Sequence, residues 1–312
     1  MRRNLALVYN QSAGAGRPRK LDRVVAHLER YGARVTALHT SSAEDASQKV
    51  ARAAREGSYD GVIAAGGDGT IRAVATGAAG TSLPVGIVPL GTGNVMRHEI
   101  GLSTSTSAIA QTLLDGPEIK VRCGLVNGAP FLLMAGAGFD GRVVALLNQK
   151  SKRVFGRLAY ATPVLKTLGA GVFDLDVDVD GVSHSASWVI VTNAAHYGGS
   201  FRLTRDTQLG AGQLVAVIVT GTARRDLLAA SMALGLGRLT EAKTRPQGIL
   251  SMPCNRVRIT SDFAVPVEVD GDEAGTTPVE ISSEGPVVHL IVPPAYVADL
   301  TNRHTNHVTS GS

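Results

Sequence analysis

Two cysteines, Cys123 and Cys254, occur in 312 residues, so no disulfide framework holds the fold and a reducing compartment is expected. No Cys or His spacing matches a zinc site. No run approaches the ~18 apolar residues that a membrane helix needs, and the apolar stretch 5–9 behind Met1-Arg2-Arg3-Asn4 is too short for a signal peptide. Aromatic residues make up 4% of the chain, and neither a stacking ladder nor a basic helix accompanies its cationic balance, so nucleic acid is not an expected partner. No internal repeat divides it. These absences leave a cytoplasmic protein that would reach any lipid from the membrane surface.

The remaining composition is that of a folded protein, 44% hydrophobic and 18% charged, with length enough for two cores. A net charge of +5 and a pI near 9.4 suit anionic partners such as nucleotides or acidic lipid surfaces.

The most informative stretch is Gly66-Gly67-Asp68-Gly69-Thr70. It follows the apolar run Val62-Ile63-Ala64-Ala65 and precedes a helix expected from Ile71. Consecutive glycines at the end of a buried strand let backbone N–H groups approach an anion closely. Asp68 inside such a loop would repel phosphate unless a divalent cation lay between them. The stretch therefore reads as a site for a nucleoside triphosphate and Mg²⁺, with Asp68 at the metal.

Around it, buried strands and helices alternate. Strand 5–9 ends in Asn10-Gln11-Ser12-Ala13-Gly14-Ala15-Gly16, which either wraps a phosphate or is a plain strand-to-helix turn. Apolar residues at helical spacing follow over 21–31, then a strand at 34–40 and a helix capped by Ser41-Ser42-Ala43-Glu44 in a capping box from Ser41. Thr40, at a strand end, is a weaker nucleotide candidate. Strand 84–89 ends in Leu90-Gly91-Thr92-Gly93-Asn94, a further glycine-hydroxyl-amide turn. Repeated β-α units predict an open parallel sheet with its ligand crevice at the strand carboxyl ends.

From about residue 121 strands dominate, with helices expected near 142–149, 155–168 and 224–236. Strict alternation over Asp174-Leu175-Asp176-Val177-Asp178-Val179-Asp180 indicates a strand with one wet face, not a calcium loop. The fold expected is two-domain. An N-terminal α/β nucleotide-binding domain covers 1–125, with 294–302 returning to it. A β-rich antiparallel sandwich covers 126–293, and 303–312 form a disordered polar tail.

The pair Gly66-Gly67-Asp68-Gly69-Thr70 and Pro89-Leu90-Gly91-Thr92-Gly93-Asn94 resembles the catalytic domain of diacylglycerol kinases, a superfamily that includes sphingosine and ceramide kinases and bacterial soluble lipid kinases. NAD kinases and phosphofructokinases share relatives of the first motif; the second singles out the lipid kinases. Asn10-Gln11-Ser12-Ala13-Gly14 is similar to the family's opening Asn-Pro-x-Ser-Gly, with Gln11 in place of proline and Gly14 offset. The resemblance runs to about Leu300 and implies ATP- and Mg²⁺-dependent phosphoryl transfer to a lipid hydroxyl. Partners implied are a lipid with a free hydroxyl, a membrane surface touched peripherally, and a second copy of the chain.

Val267-Glu268-Val269-Asp270-Gly271-Asp272-Glu273 reads from its residues either as a hairpin turn or as a carboxylate site. The family's Asp-Gly-acid pattern implies that Asp272 is the general base, with Asp270 and Glu273 as alternatives. Gly136-Ala137-Gly138-Phe139-Asp140 resembles a segment that in the family sits near the interdomain cleft; from the residues alone Asp140 reads as a helix N-cap. One departure stands out. Ala211 occupies a position where the family carries an aspartate for a structural metal, and a methyl group cannot coordinate a hard cation. That metal site is expected to be absent or built from carbonyls. Rival readings are an NAD kinase and a catalytically silent nucleotide- or lipid-binding regulator.

Overall fold

The computed structural model describes residues 1–10, 18–146, 166–167, 169, 171–221, 223–241 and 246–309. Gln11, Ser12, Ala13 and Gly14, and most of the helix expected over 155–168, lie outside the described residues. The chain divides into two compact units, Met1–Val121 with Pro286–Ser312, and Arg122–Gly285.

The first unit alternates β1 (Asn4–Asn10), α1 (Arg19–Arg30), β2 (Arg34–Thr40), α2 (Ala43–Glu56), β3 (Gly61–Gly66), α3 (Asp68–Ala78), β4 (Val85–Pro89), α4 (Val95–Glu99), α5 (Thr106–Asp115) and β5 (Glu118–Arg122). Leu5 to Val8 and Val62 to Ala65 are buried as unbroken runs, as strands covered on both faces require. Helix α1 turns Leu21, Val24, Val25 and Leu28 inward, and α2 turns Ala46, Val50 and Ala53 inward. The cap of α2 falls one residue later than expected. Ser42 accepts the Asp45 N–H at 3.0 Å, and Asp45 reaches back to the Ser41 N–H at 2.8 Å. The sequence offers Ser-x-x-acid in both registers, and the second places Ser42 in the extended backbone a cap needs (φ −150°, ψ 172°).

The sheet runs β2-β1-β3-β4-β20-β5, where β20 is Val287–Ile291. Strands β1 to β4 are parallel, with Asn10 opposite Thr40, Tyr9 opposite Ala65 and Gly66 opposite Pro89. Strand β20 corrects the expected boundary at 293. Val85 pairs with Leu290 in parallel, so the chain returns to the first sheet earlier, from Pro286. Helix α8 (Pro294–Thr309) follows and runs through the stretch expected as a polar tail, which has no Gly or Pro to stop it before Gly311.

The second unit holds β6 (Gly124–Val126), β7 (Ala129–Phe131), β8 (Met134–Gly138), α6 (Phe139–Ala145), β9 (Leu175–Val179), β10 (Val182–Ala186), β11 (Trp188–Thr192), β12 (His196–Tyr197), β13 (Phe201–Arg202) and β14 (Leu214–Val219). After these come α7 (Arg224–Gly235), β15 (Ile249–Cys254), β16 (Arg256–Thr260), β17 (Pro266–Val269), β18 (Asp272–Thr276) and β19 (Val279–Ser282). Two six-stranded sheets form, β10-β9-β16-β19-β6-β7 and β15-β14-β11-β8-β17-β18. They share one core: Phe131, Val177, Val257 and Ile281 from the first pack with Val189, Val191, Ile218 and Val267 from the second. This is an antiparallel β-sandwich.

The aspartates of β9 are explained by its pleat. Leu175, Val177 and Val179 are buried, while Asp178 lies opposite Arg258, itself opposite Glu280. Asp180 ends the run as a turn residue at φ 49° whose carboxylate accepts the N–H groups of Asn255 and Arg256.

Close helix packing in the first unit depends on Gly77, where a Cβ would lie 2.3 Å from the Ser47 carbonyl oxygen and 2.8 Å from Val50 Cβ. Gly77→Ala is expected to destabilise the chain by about 1–3 kcal/mol in denaturant melts. Gly235→Ala, where no atom lies within 4 Å of the added Cβ, should be neutral or stabilising. Equal effects from the two would show that the α2–α3 contact does not limit stability.

Candidate functional site

The in-register parallel strands bring Asn10, Thr40, the Gly66–Thr70 turn and the Gly91–Asn94 turn to one edge of the first sheet, at the strand carboxyl ends. Helix α3 begins earlier than expected, at Asp68, with Gly67 as its N-cap residue in extended backbone. Asp68, Gly69 and Thr70 therefore form the first helical turn, where the helix dipole favours an anion.

Asp68 ties the two glycine turns together. Its Oδ2 accepts the Val95 N–H at 3.0 Å and its Oδ1 accepts the Met96 N–H at 3.1 Å, both at the start of α4. Leu90 N–H donates to the Gly66 carbonyl at 2.9 Å. The turns are so close that a Cβ on Gly91 would lie 2.7 Å from Gly67 Cα, and one on Gly66 would lie 2.4 Å from Thr70 Oγ1. Only glycine fits there. Asn94 sits in the left-handed region (φ 47°, ψ 50°) and its Nδ2 donates to the Gly91 carbonyl at 2.6 Å. Its Oδ1 is buried with no hydrogen-bond partner among the described residues. Thr92, at the tip of its turn, is exposed, and Gly93 lies between.

Two cations that sequence reasoning missed stand at this edge. Lys20, at the head of α1, donates from Nζ to the Pro89 carbonyl at 2.8 Å. Burial and then the nearby Arg97 guanidinium of α4 lower its pKa. Lys20 follows the glycine-rich turn 12–16 directly, and that position was its only signal. For Mg²⁺, the donor chemistry fits a nucleotide-borne ion. Mg²⁺ is commonly held by one or two carboxylates plus phosphates and water, and Asp68 supplies one such carboxylate. Among the described residues no group of three or more His, Cys, Asp or Glu is placed to hold a metal by itself.

In the second unit, Asp270-Gly271 is a two-residue hairpin turn. Val269 pairs with Asp272 across it, and both turn residues have positive φ, 51° and 83°, as a type I′ turn demands. The Asp270 carboxylate accepts three backbone N–H groups, from Leu132, Leu133 and Met134, at 3.0, 2.8 and 3.0 Å. It stitches β17 to β8. Asp272 opens β18 half-buried, and Glu273 beside it is exposed.

Behind this hairpin lies a buried acidic pair, only half of which the sequence flagged. Asp140 is not the N-cap of α6; Gly138 is, at φ 90°. Asp140 instead turns inward, 2% exposed, and accepts a hydrogen bond from Tyr197 Oη. A Cβ on Gly136 would lie 2.3 Å from its Oδ2, so that glycine makes the room. Glu268, also 2% exposed, accepts the Gly271 N–H at 2.7 Å through Oε2. Its neighbours Val267 and Val269 face the sandwich core, so alternation would put Glu268 in water. Helix α6 covers that face, and this is why the pattern misled. Phe139 and Tyr197, which flank and bond Asp140, both pack against Trp188, with ring centroids 5.0 and 6.5 Å away. Burial raises the Asp140 pKa to about 6 against the Tyr197 and Glu268 hydrogen bonds, and burial with the Asp140 charge raises Glu268 well above its usual range. Asp140 Oδ2 and Glu268 Oε1 otherwise lack a donor among the described residues. One proton shared between the two carboxyls would supply it. Burial also pushes the Cys123 and Cys254 thiols up to about 12, so neither is a nucleophile at neutral pH.

The loop around Ala211 is braced from within, by Thr207 Oγ1 donating to the Gln213 carbonyl at 2.8 Å and Ala211 N–H donating to the Gln208 carbonyl at 3.0 Å.

Because both acids of the pair have pKa values above those of an unfolded chain, ~3.9–4.3, the folded state keeps a proton that the unfolded state releases. Their contribution to stability is complete below the unfolded values and is lost as pH rises through about 6 and beyond. The melting temperature should therefore fall between pH 5 and pH 8, and Glu268→Gln should flatten that fall in thermal scans. Parallel curves for the two proteins would mean that the pair is not protonated.

Residues 4–126 match the family model described as the diacylglycerol kinase catalytic domain, and residues 134–292 match the one described as the YegS C-terminal NAD kinase beta sandwich-like domain. The chain is 27% identical over 295 residues to a diacylglycerol kinase of Bacillus subtilis (strain 168), covering 92% of this chain and 95% of that one. A diacylglycerol kinase of Staphylococcus carnosus (strain TM300) is 27% identical over 286 residues, covering 89% of this chain and 91% of its own. A crystal structure of a diacylglycerol kinase from Bacillus anthracis str. Sterne shares the fold with a TM-score of 0.65 at 20% identity, over 94% of this chain and 98% of that one. A second crystal structure from that organism reaches 0.74 at 22% identity with the same coverage. The two interlocked glycine turns fall in the first matched domain and the β-sandwich in the second, and the chain belongs to the family that joins a diacylglycerol kinase catalytic domain to a YegS C-terminal domain.

Proposed function

We propose that this chain is an ATP-dependent lipid kinase that transfers the γ-phosphate to the hydroxyl of a lipid such as diacylglycerol. The observation that carries the reading is the lock between Gly66–Thr70 and Gly91–Asn94 through Asp68. It holds two anion-binding turns at one sheet edge, with Lys20 and Arg97 as counter-charge.

In this reading the N–H groups of the glycine turns and the head of α3 grip the triphosphate. Gly66, Gly67, Gly69, Thr70, Gly91, Thr92, Gly93 and Asn94 form the cradle, and Asn10, Gln11, Ser12, Ala13, Gly14 and Thr40 extend it. Asp68 would hold Mg²⁺, which when bound supplies neutralisation of charge on the phosphate oxygens. Asp272 is the general base. Asp270 is committed to three backbone amides, and Glu273 is exposed. The base takes the hydroxyl proton as that oxygen forms a bond to the γ-phosphorus and the bond to the β-bridging oxygen breaks, releasing ADP. Positioning and charge neutralisation carry most of the rate. The β-rich unit would receive the acceptor, and the protein would work in the cytoplasm against a membrane surface. Among the described residues no helix is long and apolar enough to cross a membrane.

A second reading, transfer to NAD, rests on the description of the second domain as NAD kinase beta sandwich-like. Incubation of the purified protein with γ-labelled ATP, Mg²⁺ and either diacylglycerol, total lipid extract or NAD separates the two. Label is expected in lipid. Label in NAD alone would replace this reading with the second, and no transfer to any acceptor would leave a silent binding protein.

Asp68→Asn keeps one acceptor for α4, sets its amide N–H against the other donor and loses the charge, so Mg²⁺-dependent kcat should fall about 10²-fold or more while the melting temperature drops but the protein stays folded. Asp272→Asn should lower kcat by about 10²–10⁴-fold with nucleotide Kd nearly unchanged. An equal loss from Glu273→Gln would move the base to that residue.

A further inference from the structure

Helix α7 connects β14 to β15 in the second unit and packs one face inward, with Leu227, Ala230, Ala233 and Leu234 buried. Asp226, in its first turn, turns back to accept the Ala223 N–H at 3.1 Å. The opposite face presents Leu228, Met232 and Leu236, 48%, 61% and 66% exposed. Steps of four residues put these three side chains in one stripe along the helix. Ala229 and Gly235, also exposed, widen it, and no acidic residue falls within that arc. Phe201, 39% exposed, belongs to β13, against which α7 packs. Arginines bound the stripe at both ends: Arg224 and Arg225 at the head and Arg238 just past the end, all exposed. Arg225 approaches Asp226 only to 3.7 Å, with its side chain 89% in water.

Single exposed apolar residues are ordinary on protein surfaces. A row of three large ones with cations at its ends and no acid between is the pattern of a helix that lies in a membrane interface, apolar face down and arginines among the phosphates.

We propose that the outer face of α7 is the surface by which this protein docks on anionic phospholipid bilayers, with Leu228, Met232 and Leu236 entering the headgroup–acyl boundary. The choice of a bilayer as occupant rests on the lipid-kinase reading and on charge complementarity. A second copy docking stripe to stripe about a two-fold axis would set the arginines of one helix against those of the other, which opposes self-association. An anionic surface instead draws on these arginines and on the net charge of +5.

The test is sedimentation of the full chain with vesicles of phosphatidylcholine alone and of equimolar phosphatidylcholine and phosphatidylglycerol. A Leu228→Ser/Met232→Ser/Leu236→Ser variant changes only exposed positions; its melting temperature is measured alongside. The wild-type chain is expected to bind the anionic vesicles, to release them as salt rises, and to bind phosphatidylcholine weakly. The triple variant should bind the anionic vesicles about tenfold more weakly or less. It should also lose phosphorylation of vesicle-embedded diacylglycerol while retaining that of a short-chain diacylglycerol dissolved in water. Equal vesicle binding by variant and wild type overturns the docking surface, whichever substrate is phosphorylated. A wild-type dimer in sedimentation velocity that the variant abolishes overturns it in favour of a second copy. If the wild-type chain phosphorylates neither diacylglycerol, the kinase reading fails and the vesicle measurements alone decide the docking surface.

Discussion

One carboxylate accepting two backbone N–H groups sets the geometry on which the first unit's chemistry depends. Asp68 leaves the end of β3, enters the first turn of α3 and reaches across to the amides of Val95 and Met96 at the head of α4. Two glycine turns separated in sequence thereby become one surface. The contact demands glycine at position 91, because any Cβ there would strike the Gly67 backbone. A carboxylate satisfied by backbone donors has its orientation fixed before any ligand arrives, and such preorganisation is what electrostatic stabilisation requires. The same residue thus has a structural and a proposed metal-binding role, and the two are compatible in kind because a carboxylate offers about four acceptor positions in all.

Why the turns meet at all follows from the sheet. Parallel strands with buried faces carry all their carboxyl ends to one edge, and the register pairs Asn10 with Thr40 and Gly66 with Pro89 at that edge. The late return of β20 beside β4 closes the other flank of β4, so the strand feeding the Gly91–Asn94 turn is held on both sides.

Much of this was legible in the sequence, and the failures share a cause. Continuous apolar runs at 5–8 and 62–65 announce buried parallel strands, and glycine with hydroxyl and amide residues after them announces the turns. The alternation over 174–180 announces a half-wet strand. What local pattern could not reveal was which partner covers a face. Glu268 alternates like a solvent residue and is buried because α6 lies over it. The apolar stretch at 287–291 fits a sandwich as well as a parallel sheet, and only its pairing with β4 decides. The start of α3 at Asp68 and the cap at Ser42 were each missed by a few residues or one, since glycine favours a loop reading and Ser41 offers an equal cap. Lys20 had no signal beyond its position after a glycine turn.

The second unit solves a different problem with the same chemistry. Its hairpin carries three acids in five residues, Glu268, Asp270 and Asp272, and each is treated differently. Asp270 is neutralised by three amide dipoles and fixes the hairpin to β8. Glu268 is buried beside Asp140, where like charge and lost hydration favour a shared proton. Asp272 alone is left half in water. The Asp270 carboxylate holds three amides, and a second full negative charge close behind the hairpin would oppose its own through a medium of low dielectric. A proton kept on the Asp140–Glu268 pair removes that repulsion. The buried pair therefore lies behind a turn that holds one carboxylate immobilised on backbone amides beside another that is half exposed.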